Sequence, residues 1–183
     1  GDYLLGKWMG IFLAVYVVAL VPALVLYLFC LISFLDSGFL KNEPWLIFRI
    51  AGAVALPAAV HASLLVGFSA WSKTPRIAGA AYAALFLLGN TISGVIWAIR
   101  YRGDLSEGIL VRHLSINGII DGLAQNLYGV TLLTLAGHRR RGLETIALDP
   151  PLLWAMLLIG GVVVALGIAA ARAKINAVEV IRG

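Results

Sequence analysis

Two long apolar runs separated only by Trp71-Ser72-Lys73-Thr74-Pro75-Arg76 constrain this chain more than any other feature. The stretch from Ile47 to Ile99 is apolar on both sides of that basic interruption. Each run exceeds the roughly 18 apolar residues that mark a transmembrane helix. Inside hydrocarbon a backbone must satisfy its own hydrogen bonds, and a helix does so within one segment. The stretch therefore reads as a helical hairpin across a bilayer. Its hinge is too short to reach the far side, so it fixes the direction of the remaining spans.

The composition agrees. Of 183 residues, 61% are hydrophobic and 13% charged, whereas a soluble domain is about 45–50% apolar and about 25% charged. The net charge of +5 sits mostly at span ends, where topology and lipid headgroups place Lys and Arg. That distribution argues against nucleic-acid binding. Cys30 is the single cysteine, so neither an internal disulfide nor a cysteine metal cluster is expected. Strand alternation is absent from the spans, which excludes a barrel. The chain starts Gly1-Asp2 without a signal-peptide layout and reads as a fragment or a processed chain.

The expected fold class is an all-α polytopic membrane protein with a single transmembrane domain over 1–183. Its four spans cover about 11–34, 45–71, 77–99 and 152–171. Pro22 and Pro57 lie inside the first two and are candidate kinks. In the second span Ala51, Ala55, Ala59, Ser63 and Gly67 recur every four residues. On a helix this makes one small-residue face, which allows close backbone approach. Packing within the chain is favoured over a subunit contact. Gly160, Gly161 and Gly167 serve the same purpose in the last span.

An interfacial helical segment is expected over about 105–136, amphipathic or re-entrant. Ile116, Ile119, Ile120, Leu123, Leu127 and Val130 keep helical spacing, while Asn117, Asp121 and Gln125 fall elsewhere on the wheel. A short apolar piece, Val130–Ala136, ends at Gly137-His138-Arg139-Arg140-Arg141-Gly142. Four spans put both termini on the hinge side. Positive charges divide almost evenly between the two sides, but short loops weigh more, which favours a cytoplasmic hinge.

Candidate sites are few. His61 is the only histidine inside a span. An intramembrane ionisable group is a functional candidate by default, and His61 could be a cofactor ligand, a proton relay or a helix-to-helix hydrogen-bond partner. Without a second ligand at fixed spacing, the hydrogen bond is favoured. Asn90, Thr91 and Ser93 could line a polar path or bind helices together, and helix contact is favoured. Thr91-Ile92-Ser93-Gly94 lacks the first glycine of the intramembrane serine protease pattern and has no evident base. His113 and His138 form no metal spacing, and Arg139–Arg141 suits headgroups. No Gly-x-x-x-x-Gly-Lys-Ser/Thr occurs. No enzyme, metal site or resident cofactor is therefore expected.

Tyr3-Leu4-Leu5-Gly6-Lys7-Trp8-Met9-Gly10, the run Val17–Tyr27 with Pro22, and the close Ala177-Val178-Glu179-Val180-Ile181-Arg182-Gly183 resemble ABC-2-type transporter permeases. The order of spans, short hinge, long outer segment and basic tail is similar over essentially the whole chain. Such permeases usually have six spans, so the resemblance implies the C-terminal part, with two spans upstream or lost. It implies an ATP-driven exporter subunit in a bacterial plasma (inner) membrane, working with a second permease half and an ATPase subunit that binds the ATP. It places Leu5, Gly6 and Lys7 near the main ATPase-coupling segment and makes Lys73–Arg76 a second contact. The alternative is a non-catalytic transmembrane accessory subunit of a respiratory or photosynthetic complex. An intramembrane enzyme is the least favoured reading.

Overall fold

The computed structural model describes residues 2–34, 43–100, 115–129, 132–138, 142–148 and 151–182. The membrane-embedded part is all-α. Helix α1 (Asp2–Ser33), α2 (Leu46–Trp71), α3 (Pro75–Arg100) and α5 (Leu153–Arg182) are the long ones, and α4 (Ile116–Tyr128) is short. Four segments are long and apolar enough to cross a bilayer: Asp2–Ser33, Leu46–Trp71, Pro75–Ile96 and Leu153–Ile175. Trp45, Trp71 and Trp154 stand exposed at span ends, in keeping with an interfacial aromatic belt.

The first helix begins at Asp2 rather than near residue 11. Gly6 and Gly10 each cost about 1 kcal/mol relative to alanine, but the stretch holds no proline and Leu4, Leu5, Lys7 and Met9 favour helix, so the helix is not interrupted before the apolar run. Its 32 residues measure about 48 Å, which exceeds the roughly 30 Å hydrocarbon core. Helices α1 and α2 run unbroken through Pro22 and Pro57. The hinge is tighter than the sequence suggests. Helix α3 starts at Pro75, and the Thr74 hydroxyl accepts from the Ile77 N–H at 3.4 Å. Proline suits the first helical position because its missing N–H would have no intrahelical partner there.

Helix α2 is the centre, touching α1, α3, α4 and α5. It runs antiparallel to α1 and α3. It runs parallel to α5: Gly160 lies near Val60, and Gly167 lies against Ser63 and Gly67. This arrangement returns the chain to the hinge side at its end. The α2–α5 crossing is a backbone contact. A Cβ on Gly167 would stand 2.5 Å from the Ser63 carbonyl oxygen, and one on Gly67 would stand 3.1 Å from the Gly167 carbonyl oxygen. Of the small-residue stripe, Ser63 and Gly67 are buried, while Ala51, Ala55 and Ala59 are only partly so. Ala53, Ala58 and Ala62 are buried instead, because α1, α4 and α5 cover α2 from several directions.

Helix α4 packs inside the bundle, against α2, α3 and α5. Ser115 caps it by accepting from the Gly118 N–H at 3.0 Å, and Gly129 closes it in the left-handed region at φ 65°. Near its C-terminal end, Asn126 donates to the Pro151 carbonyl at 2.6 Å, just before the start of α5. Nearer its start, Ile119 packs beside Gly160 and Val60, deep in the bundle. Ile119, Leu123 and Met156 form a core with Leu56, Ile159 and Val163 around it. Gln125, assigned by spacing to a different face from the apolar residues, is buried at 6% exposure.

Helix does not extend to residue 136. Strands β1 (Leu132–His138) and β2 (Gly142–Leu148) pair antiparallel, from Leu132 opposite Leu148 to His138 opposite Gly142. The left-handed Gly129 stops α4, and the apolar piece after it is too short to span. Thr131 and Thr134 add β-branched character. Residues 105–114 and 139–141 lie outside the described residues, as do Asp36–Gly38 and Lys41.

Candidate functional site

Three polar places interrupt an otherwise apolar bundle. The first is the hinge end. Lys7 on α1 donates to Ser69 Oγ at 2.7 Å, and Trp8 Nε1 donates to Ser63 Oγ at 2.8 Å. Ser63 in turn donates to the Ala59 carbonyl at 2.7 Å. Trp8, Phe12 and Tyr16 stack in series along α1. On the other side of α2, Trp71 Nε1 donates to the Ala170 carbonyl of α5 at 3.0 Å. Lys174 Nζ lies 5.5 Å from the Trp71 ring centroid, within cation–π range. Leu5, Gly6, Lys73 and Arg76 are exposed at this end, whereas Lys7 is partly buried. All five candidate coupling residues thus fall at one end of the bundle.

The second place lies within the bundle. Tyr82 on α3 and His61 Nδ1 on α2 are 2.5 Å apart, with their rings meeting edge to face. A phenol can donate to a neutral imidazole nitrogen. His61 also borders an apolar groove of about 580 Å³ between α1 and α2, with Val15, Val18 and Pro57 on its walls. The sequence reading missed Tyr82. Counting outward from the hinge along both helices puts the two residues at similar depth, and that hairpin register was the available signal.

The third place is a cleft of about 220 Å³ between α3 and α4. Asn90 and Ser93 line it from α3, and Ser115, Asn117 and Asp121 from α4. Asn90 Oδ1 is buried with no hydrogen-bond partner among the described residues. Thr91 does not join it; its hydroxyl donates to the Leu87 carbonyl at 2.8 Å within its own helix. The polar patch of the third span therefore splits by helical geometry, with two residues toward α4 and one away. The contributions of Ser115, Asn117 and Asp121 were not foreseen. A serine cap followed by polar residues on one face is the sequence signal that marks them.

Among the described residues no group of three His, Cys, Asp or Glu side chains gathers as a metal site would require. Arg49 and Glu43 pair at 3.1 Å near the N-terminal end of α2, away from the hinge. No family model, curated protein or solved structure matches the chain.

Proposed function

We propose that this chain is the membrane-spanning permease part of an ATP-driven exporter of the ABC-2 type, acting with a second permease half and a separate ATPase subunit. The observation that carries the reading is the fastening of the hinge end. Leu5–Lys7 lies in the first turns of α1, and Lys7 and Trp8 tie that region to Ser69 and Ser63 of α2. Trp71, at the start of the hinge, ties α2 to Ala170 of α5. A push delivered at Leu5–Lys7 or at Lys73–Arg76 is thereby passed to three helices together. That is mechanical coupling, and it asks for no covalent chemistry from this chain. ATP is bound and hydrolysed by the partner.

In this reading the membrane is the bacterial plasma membrane, and the hinge and both termini face the cytoplasm. The α3–α4 cleft, with Asn90 and Ser93, belongs to the polar path. The test is to express the full-length protein with its genomic neighbours and purify it by a tag on this chain. Co-purification of an ATPase whose turnover depends on the permease supports the proposal; the absence of any ATPase partner overturns it.

A further inference from the structure

The hinge end holds a cavity of about 260 Å³ between α1, α2 and α5. Lys7 and Lys174 line it together with Tyr3, over an apolar floor that includes Leu4, Val66 and Ala70. Among the described residues no carboxylate lines it, and the ion pair between Arg49 and Glu43 lies near the opposite end of α2. Lys7 gives one hydrogen to Ser69 Oγ, and an ammonium carries three. Lys174 lies over the Trp71 ring. Two cations therefore share one cavity, with no neutralising charge among the described residues that line it, near the hinge end of the spans. Tyr3 and Trp71 are exposed beside it, as interfacial aromatics are.

A cationic rim above an apolar floor matches a molecule with a phosphate at one end and a hydrocarbon chain at the other. Basic pockets between helices at a membrane face take anionic lipid headgroups. We propose that this cavity binds an anionic phospholipid of the hinge-side leaflet. Lys7 and Lys174 contact its phosphate, and an acyl chain follows Leu4, Val66 and Ala70. The proposal needs only the membrane placement of the helices and stands apart from the exporter reading.

Native mass spectrometry of the full chain, released from micelles with phosphatidylglycerol or phosphatidylcholine of identical chains, tests it. Retention of phosphatidylglycerol over phosphatidylcholine is expected. The double variant K7Q/K174Q should weaken that retention about tenfold or more. K73Q/R76Q removes the same charge from exposed positions of the hinge and should leave retention nearly unchanged. Ala70→Leu keeps both lysines and fills the floor; it should also lose the lipid, which guards against misfolding of the double variant. Equal retention of the two lipids, equal loss in K73Q/R76Q, or full retention by Ala70→Leu would each overturn the site. Displacement of the lipid by millimolar inorganic phosphate would make it a free-anion site and overturn the lipid assignment.

Discussion

Gly167 meets Ser63 backbone to backbone: a Cβ on Gly167 would stand 2.5 Å from the Ser63 carbonyl oxygen. Both neighbours are main chain, so neither can rotate aside. Gly167→Ala is expected to part α2 from α5 and cost about 1–3 kcal/mol. Gly161→Ala, where a Cβ meets nothing within 4 Å, serves as the control and should be neutral or slightly stabilising. Thermal unfolding of the detergent-solubilised protein compares them.

Trp8 and Ser63 should be energetically coupled through their 2.8 Å hydrogen bond. Interhelical polar contacts in bundles average about 0.6 kcal/mol by double-mutant cycle. Trp8→Phe, Ser63→Ala and the double variant should give a coupling of about that size. Strict additivity would remove this contact from the account of how α1 is fastened.

His61 and Tyr82 should also fail to add. Tyr82→Phe deprives His61 Nδ1 of its partner, so a following His61→Ala should cost less than it does alone. The purified protein is expected to be colourless, and His61→Ala should leave its visible spectrum flat. A pigment band lost in His61→Ala would favour the accessory-subunit alternative instead.

Lys73 and Arg76 are exposed, so K73Q/R76Q should leave the melting temperature essentially unchanged. Under the exporter reading the same variant should lower permease-dependent ATPase turnover. Turnover equal to that of the unaltered protein would take the hinge out of the coupling contact.

The capped end of α4 offers a local check. Gly129 sits at φ 65°, a region that costs most L-residues roughly 1 kcal/mol or more. Gly129→Ala should destabilise the protein by about that amount, with amide exchange rising in α4 before the spanning helices.

The spans were legible because hydrocarbon imposes one rule, a long apolar run, and Trp45 and Trp71 bracket such a run plainly. The start of α1 was harder, since Leu4–Met9 is good helix sequence on either side of an interface. The small-residue stripe pointed to α2 as a packing helix but not to its partners. Ser63 and Gly67 meet α5 only because the two helices run parallel, which depends on the whole topology. Val130–Ala136 misled because a short apolar run has no decisive period, and only pairing with Gly142–Leu148 makes its part from Leu132 onward a strand. The joining of Asn90 and Ser93 to Ser115 needs α4 to pack against α3, and no local pattern states how deep in the bundle such a helix sits.

Helix α1 has no residue fully buried in the chain. Two polar ties to α2, from Lys7 and Trp8, lie close together at the hinge end. Farther along, from Ala14 to Ala19, an apolar groove stands between it and α2. The Lys7–Ser69 and Trp8–Ser63 bonds therefore set the axial register of α1 on α2. A slide of one residue, about 1.5 Å along the helix axis, would stretch both at once.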